Sequence, residues 1–342
     1  MRALLLHSLE GPDGLSLADV PEPEGDGRIL IDVHAAGISY ADTLVLRGKY
    51  QLRLATPFVP GTEVAGRVRK APAESGFRAG DRVAAFVRWG GWAEVAAAQP
   101  SYTFRVPDEL GFAEAAALPL NYRTAYFALL WRGVLRVGET VLVHGAGGGV
   151  GSAAVQIARA AGARVFSTAV GEEKRGAAAL AGAERVFDAG SDWLGAVRDA
   201  AGAKGVDVVF DPVGGSLFDD SVRALAPGGR LLVVGFAGGS IPTVAVNRLL
   251  LRNAAVVGVA FPEYAEHHPS MPSRVAEGVL GMLKEGQLRP LIGGRHSLER
   301  GADALRALEA RRAVGKLVLV VKREPEERES PPDLAMQSPR PA

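Results

Sequence analysis

The residues of this chain whose types and spacing could most plainly do chemistry are glycines. Gly145, Gly148 and Gly151 lie in the run Val141-Leu142-Val143-His144-Gly145-Ala146-Gly147-Gly148-Gly149-Val150-Gly151-Ser152, where an apolar strand passes through a glycine-dense turn into an amphipathic helix. Such a turn can cradle a dinucleotide pyrophosphate, because glycines let the backbone approach the phosphates and the first helical N–H groups attract anionic oxygens. The spacing is G-x-x-G-x-x-G, and no G-x-G-x-x-G register can be drawn through it. On spacing alone, a loop that only permits close strand–helix packing competes with a cofactor site.

The next strand bears on which cofactor. In NAD-binding units a carboxylate about 20 residues past the glycines takes the ribose hydroxyls. Here that strand ends Val165-Phe166-Ser167-Thr168-Ala169 without an acid, and Gly171, Glu172, Glu173, Lys174 and Arg175 follow. A 2′-phosphate would find hydroxyls at Ser167 and Thr168 and cations at Lys174 and Arg175, which favours NADPH. Two readings compete: Lys174 and Arg175 as a solvated helix start paired with Glu172 and Glu173, or one of those glutamates serving the ribose of NADH.

Other chemistries are narrowed by what is missing. The chain has no cysteine, which excludes disulfides, thiolate catalysis and thiolate-ligated zinc. Of its six histidines, His144 ends an inward strand, where its ring would satisfy backbone groups, and His267-His268 falls in a Pro-rich loop. No i,i+4 partner or adjacent carboxylate set completes a metal site, and there is no nucleophile elbow.

These residues need elements to position them. At 342 residues the chain exceeds the usual single core, so two domains are expected. Residues 1–119 read as short strands broken by Pro and Gly, over 28–34, 61–69, 81–87 and 92–97, a compact β-rich domain. Over 120–262 strands alternate with helices, which predicts an α/β fold with a doubly wound parallel sheet. Residues 263–322, with a helix over 273–285 and a last strand over 316–321, are expected to return to the first domain. Residues 323–342 carry mixed charges and five prolines with almost no apolar periodicity, and should form a disordered, dispensable tail.

With 48% hydrophobic residues, 23% charged and a net charge of +1, the composition is that of a soluble globular protein with no bias towards nucleic acid or membrane. The apolar stretch at residues 3–6 is too short for a signal peptide, and no segment could span a bilayer, so the expected location is the cytoplasm.

Several separated blocks in order extend the glycine run: Gly61-Thr62-Glu63-Val64-Ala65-Gly66, Leu118-Pro119-Leu120-Asn121-Tyr122-Arg123-Thr124-Ala125-Tyr126, Asp211-Pro212-Val213-Gly214-Gly215, and residues 247–257. Across residues 1–322 the chain resembles the zinc-independent quinone oxidoreductase branch of the medium-chain dehydrogenase/reductase superfamily. The resemblance implies a GroES-like catalytic domain interrupted by a Rossmann domain, with the cofactor in the cleft between them, and a homodimer. It implies that Thr124, Gly148, Gly149, Val150 and Lys174 touch the nicotinamide or phosphates, with Gly235 and Phe236 under the cofactor and the segment ending at Phe261 following. Zinc-dependent relatives place a His where this chain has Thr62.

A zinc-free reductase must move a hydride to an electrophile and supply a proton. Quinones need little help, whereas alkenes conjugated to a carbonyl need an acid at carbon and a donor at the enolate oxygen. Tyr50 matches the catalytic Tyr of related enoyl thioester reductases, and a hydrogen-bonded aromatic at a turn is the competing reading. Ser39 replaces the Asn typical of quinone reductases and keeps a hydrogen-bonding hydroxyl; Leu44 replaces a Tyr that some carry. Asp42 beside it reads as a helix cap or an ion-pair partner, and Arg47 and Lys49 either hold an acidic substrate or are solvated. The expected function is therefore NADPH-dependent reduction of a small-molecule electrophile, a quinone or activated α,β-unsaturated carbonyl. An enoyl thioester reductase with Tyr50 as acid and a non-catalytic NADPH-binding scaffold are the alternatives.

Overall fold

The structure is a computed structural model that describes residues 1–51, 53–202 and 204–322. The expected tail over 323–342 lies outside the described residues. The chain opens with β1 (Arg2–Leu6), β2 (Leu15–Asp19), β3 (Ile29–Ile38), the short helix α1 (Tyr40–Val45), β4 (Glu63–Lys70), β5 (Arg82–Phe86), β6 (Val95–Ala98), β7 (Thr103–Arg105) and α2 (Phe112–Ala115). A middle stretch follows: α3 (Arg123–Tyr126), β8 (Thr140–Val143), α4 (Gly149–Ala160), β9 (Arg164–Ala169), α5 (Glu172–Leu180), β10 (Arg185–Asp188), α6 (Trp193–Ala201), β11 (Val206–Asp211), α7 (Leu217–Ala224), β12 (Leu225–Val233), α8 (Val246–Arg252), β13 (Ala255–Gly258), α9 (Phe261–His267) and α10 (Met271–Lys284). The chain ends in β14 (Ile292–Ser297), α11 (Gly301–Glu309) and β15 (Lys316–Val320).

Among the described residues two compact units result: Met1–Leu120 with residues 290–322, and Asn121–Arg289. In the first, β3 pairs antiparallel with β4, β6 and β15, within a sheet ordered β14-β15-β3-β4-β5-β7. Its alternating residues Ile29, Ile31 and Val33 enter a core with Leu6, Val64, Val83, Trp92 and Leu319, as the period of two requires. The Trp92 indole N–H donates to the Gly37 carbonyl at 3.0 Å, which satisfies the one polar atom of that ring inside the core.

The second unit is a six-stranded sheet ordered β10-β9-β8-β11-β12-β13, every neighbouring pair parallel. In chain order this is 3-2-1-4-5-6, the dinucleotide-binding arrangement, and it brings the C-terminal ends of the strands to one edge. The apolar run of β8, Val141 to Val143, is fully buried, as expected of a central parallel strand covered on both faces.

The expected return to the first domain at residue 263 is corrected to Pro290. Helices α9 and α10 pack inside the parallel unit: the Phe261 ring lies 5.1 Å from Phe127, Arg123 donates to the Pro272 carbonyl at 3.3 Å, and Gly278 leaves room for the Tyr126 ring. Strand β14, for which the sequence reading has no element, pairs in parallel with β15, with an irregularity between Ile292 and Gly294. Gly293 is required there because a Cβ would overlap the Val314 carbonyl.

Candidate functional site

The glycine run closes the C-terminal end of β8. Gly145 turns the chain in the left-handed region (φ +60°), and the Ala146 N–H donates to the Thr168 carbonyl at 3.2 Å, tying the loop to the end of β9. Gly148 caps α4 without a side chain to satisfy its first amides. The first backbone bond into the helix runs from the Ser152 N–H to the Gly148 carbonyl at 2.9 Å, so the amides of Gly149, Val150 and Gly151 precede it. Gly148, Gly149 and Val150 are partly exposed, which suits anion binding at a helix N-terminus.

Gly145 and Gly151, expected among the cofactor contacts, also pack against each other: a Cβ on Gly151 would overlap the Gly145 carbonyl and stand 2.8 Å from the Ala146 Cα. Gly147, which sequence reasoning did not single out, is as demanding. A Cβ there would stand 2.5 Å from the Lys174 Cβ and 2.8 Å from its Cα and carbonyl oxygen. The start of α5 is thereby pressed against the glycine loop at Lys174.

Ser167 and Thr168 do not meet the expectation of a 2′-phosphate contact, because both are fully buried. The Thr168 hydroxyl lies 2.8 Å from His144 Nδ1, and the Ser167 hydroxyl is buried without a hydrogen-bond partner among the described residues. His144 binds side chains rather than the backbone groups expected of it. Its Nε2 is 2.8 Å from the Ser221 Oγ, which itself donates to the Leu217 carbonyl at 2.7 Å. Nε2 must therefore carry the hydrogen, and in the neutral ring Nδ1 accepts from the Thr168 hydroxyl. Burial pushes the imidazole below its ordinary range, and Asp211 opposes this only in part. Arg175 pairs with Asp188 at 2.8 Å rather than with Glu172 or Glu173.

The remaining cofactor candidates follow the other strands. Gly235 and Phe236 lie beyond β12, where Ala237 and Gly238 donate to the Pro212 and Val213 carbonyls at 3.1 and 2.7 Å, and the Phe236 ring is 36% exposed. Asp211, which heads the Asp211-Pro212-Val213-Gly214-Gly215 block, holds that loop by accepting from the Val213 and Gly214 N–H groups at 2.9 and 2.8 Å. Thr124 is half-buried on α3. Phe261 is buried, with the Arg123 guanidinium 4.9 Å from its ring centroid, so only its backbone can face a ligand. His268 belongs to the end of α9 rather than a free loop, stacked 4.0 Å from Tyr264.

In the antiparallel unit, Ser39 ends β3 and precedes α1. One Asp42 oxygen accepts both the Ser39 N–H at 2.7 Å and the Ser39 hydroxyl at 2.9 Å. Behind them Glu63 pairs with Lys316 and also accepts the Leu120 N–H at 3.2 Å. Burial pushes the Asp42 carboxyl up to about 6, against the opposing pull of the Ser39 N–H and of Lys316. Burial also raises Glu63, with Lys316 opposing it. Tyr50 is half-buried in the turn after α1. Arg47, expected to hold an acidic substrate or be solvated, is engaged by Glu309 at 2.8 and 3.0 Å.

An antiparallel unit interrupted by a 3-2-1-4-5-6 parallel sheet, with a glycine-capped helix after the sheet's first strand, defines a medium-chain dehydrogenase/reductase. The alcohol dehydrogenase GroES-like domain matches residues 25–108 and the zinc-binding dehydrogenase family residues 149–277. Quinone oxidoreductase-like protein 2 of Bos taurus is 37% identical over 325 residues, covering 94% of this chain and 93% of that protein. A probable oxidoreductase from Mycobacterium abscessus is similar in structure with a TM-score of 0.87 and 44% identity, over 94% of this chain and 99% of that one. The quinone oxidoreductase of Thermus thermophilus, solved also in complex with NADPH, gives a TM-score of 0.79 and 36% identity over 94% of this chain and 100% of that one. The chain belongs to the quinone oxidoreductase branch of the superfamily and is an oxidoreductase of that kind. Its residues do not fit a zinc ion: there is no cysteine, Thr62 stands before Glu63, and among the described residues no group of three or more His, Asp or Glu could hold a metal.

Two outcomes follow. Gly147→Ala drives a methyl into the Lys174 backbone and should weaken NADPH binding by about tenfold or more, measured by nicotinamide fluorescence, with a lowered Tm. For Asp42, a carboxyl raised in the folded state binds its proton more tightly than in the unfolded chain, so stability falls as pH rises from about 4 to about 6. Urea unfolding of the parent minus Asp42→Asn should therefore drop by up to about 3 kcal/mol across that window. A flat difference would show that Asp42 does not titrate there.

Proposed function

We propose that this chain is an NADPH-dependent reductase that passes a hydride to a quinone or an activated α,β-unsaturated carbonyl without a metal. The observation that carries the reading is the close approach of Lys174 to Gly147, which brings the start of α5, and with it a lysine, to the glycine loop whose next amides, those of Gly149 and Val150, open α4. The residues present fit the cofactor: the amides would take the pyrophosphate, Lys174 the 2′-phosphate, and Thr124, Gly235, Phe236 and the Phe261 backbone the remainder. The NADPH complex of the similar Thermus thermophilus enzyme supports the same choice. When bound, the reduced nicotinamide supplies two electrons and a hydrogen as hydride. The protein would supply hydrogen-bond donors to the electrophile, with Ser39 and Tyr50 the candidates in the antiparallel unit.

The enoyl thioester alternative loses one of its two candidate cations, because Arg47 is held by Glu309. The test is direct. NADPH should bind at least about tenfold more tightly than NADH, and Lys174→Ala should remove about that factor. NADPH absorbance should fall with 1,4-naphthoquinone more readily than with a crotonyl thioester. Preference for NADH ends the cofactor assignment. A loss on Tyr50→Phe confined to the thioester supports the alternative, and tight NADPH binding with no oxidation across an electrophile panel supports a scaffold.

We also propose a homodimer formed along the outer edge of the parallel sheet. Among the described residues strand β13 is an edge strand bonded only to β12, and Ile241, Val246, Leu250 and Leu251 near it are 71–80% exposed. Open edges and contiguous apolar surface of this kind favour burial against a partner. Light scattering of the parent should give twice the chain mass, and Leu250→Glu with Leu251→Glu should give the chain mass. No helix among the described residues is long and apolar enough to cross a membrane, and a cytoplasmic location is part of the same reading.

A further inference from the structure

Four polar side chains outside the cofactor site are buried together where β3 turns into α1. Glu63 is 0% exposed, Asp42 1%, Lys316 3% and Ser39 8%. The register Leu317↔Ile38 puts Lys316 next to Ser39 along the ladder, and Gly37 leaves space that a Cβ would take from the Glu63 carboxylate. Two carboxylates thus face one ammonium. The ammonium is bonded to Glu63, and Asp42 is held instead by the Ser39 N–H and O–H.

The proton on Asp42 determines which way the Ser39 hydroxyl points. An ionised carboxylate only accepts, so the Ser39 O–H must then aim at Asp42 across 2.9 Å. When Asp42 is protonated, its own hydrogen can occupy that line and donate to the Ser39 Oγ, and the Ser39 O–H is released to donate elsewhere. Ser39 is the member of the group with the most remaining surface, so it is the one a substrate can meet.

We propose that Ser39 delivers the proton that completes reduction of the substrate, and that Asp42 is the positioning residue that aims this hydroxyl and replaces its proton. The proposal rests on the reductase reading above. Hydride from the bound cofactor would leave an oxygen anion on a quinone. That oxygen gains the Ser39 hydroxyl hydrogen as the O–H bond of Ser39 breaks. The Ser39 Oγ takes the hydrogen of the Asp42 carboxyl, and after product leaves, water gives a proton to the Ser39 Oγ as the Ser39 hydrogen returns to Asp42. The groups facing Asp42 set its range: burial and Glu63 favour the acid, whereas Lys316 and the two Ser39 donors favour the carboxylate.

The test measures kcat and KM with NADPH and 1,4-naphthoquinone from about pH 5 to about pH 9. The parent's kcat should fall as pH rises through about 6. Asp42→Asn, whose amide donates to Ser39 at every pH, should show no such step. Ser39→Ala should lower kcat by about tenfold or more with a smaller change in KM, and should also lack the step. A second readout needs no turnover: infrared spectra of protein labelled with 13C at aspartate, saturated with NADP. A carboxyl titrating near 6 should be present in the parent, absent in Asp42→Asn and shifted upward in Ser39→Ala. A step that persists in active Asp42→Asn, or no carboxyl titrating in that range, overturns this proposal alone. A parent that reduces no electrophile overturns the reductase reading and the proposal together.

Discussion

The parallel unit depends on two places where a side chain cannot exist. Without the space at Gly151, helix α4 could not start against the Gly145 carbonyl, and without the space at Gly147 the start of α5 could not reach the loop. Together with the Ala146 bond to the Thr168 carbonyl, these crossings hold the ends of β8 and β9 and the starts of α4 and α5 as one piece. The consequence is electrostatic. The amides that open α4 are thereby held in fixed directions, and an anion at that helix end would meet oriented donors that need no reorganisation.

Beneath that loop the unit carries polar groups that hold one another without a charged ring. His144, Thr168 and Ser221 satisfy one another, and the Ser221 bond to Leu217 fixes where each hydrogen lies. Burial favours the neutral ring, whose Nδ1 then accepts from the Thr168 hydroxyl.

Much of this arrangement was legible in the residues. The strand–helix alternation after residue 120 and the absence of an acid after Phe166 both follow from local pattern, and the resemblance supplied the antiparallel unit. What was not legible shares one cause: it depends on the far side of a contact. Ser167 and Thr168 look accessible on a strand that alternates, but β9 is covered on both faces, so neither hydroxyl reaches solvent. The stretch after residue 262 looks like a return segment until Gly278 is seen to accommodate Tyr126. Asp42 was readable as a cap for Ser39. Its burial was not, because Lys316 arrives from the other end of the chain.

That distant arrival gives the antiparallel unit its chemistry. A buried ion pair is costly to break, and removing either Glu63 or Lys316 would leave a charge with no partner, a loss of about 3–5 kcal/mol in comparable cases. The pair is therefore held, and Lys316 is not free to move to Asp42. A carboxylate left beside a developing oxyanion would repel it in a medium that screens poorly. The same group as an acid donates a hydrogen bond and frees the Ser39 hydroxyl. On the proposal above, one proton decides whether the end of β3 opposes or assists reduction, and the Ser39 N–H and Lys316 hold that proton within reach of ordinary pH against the effect of burial.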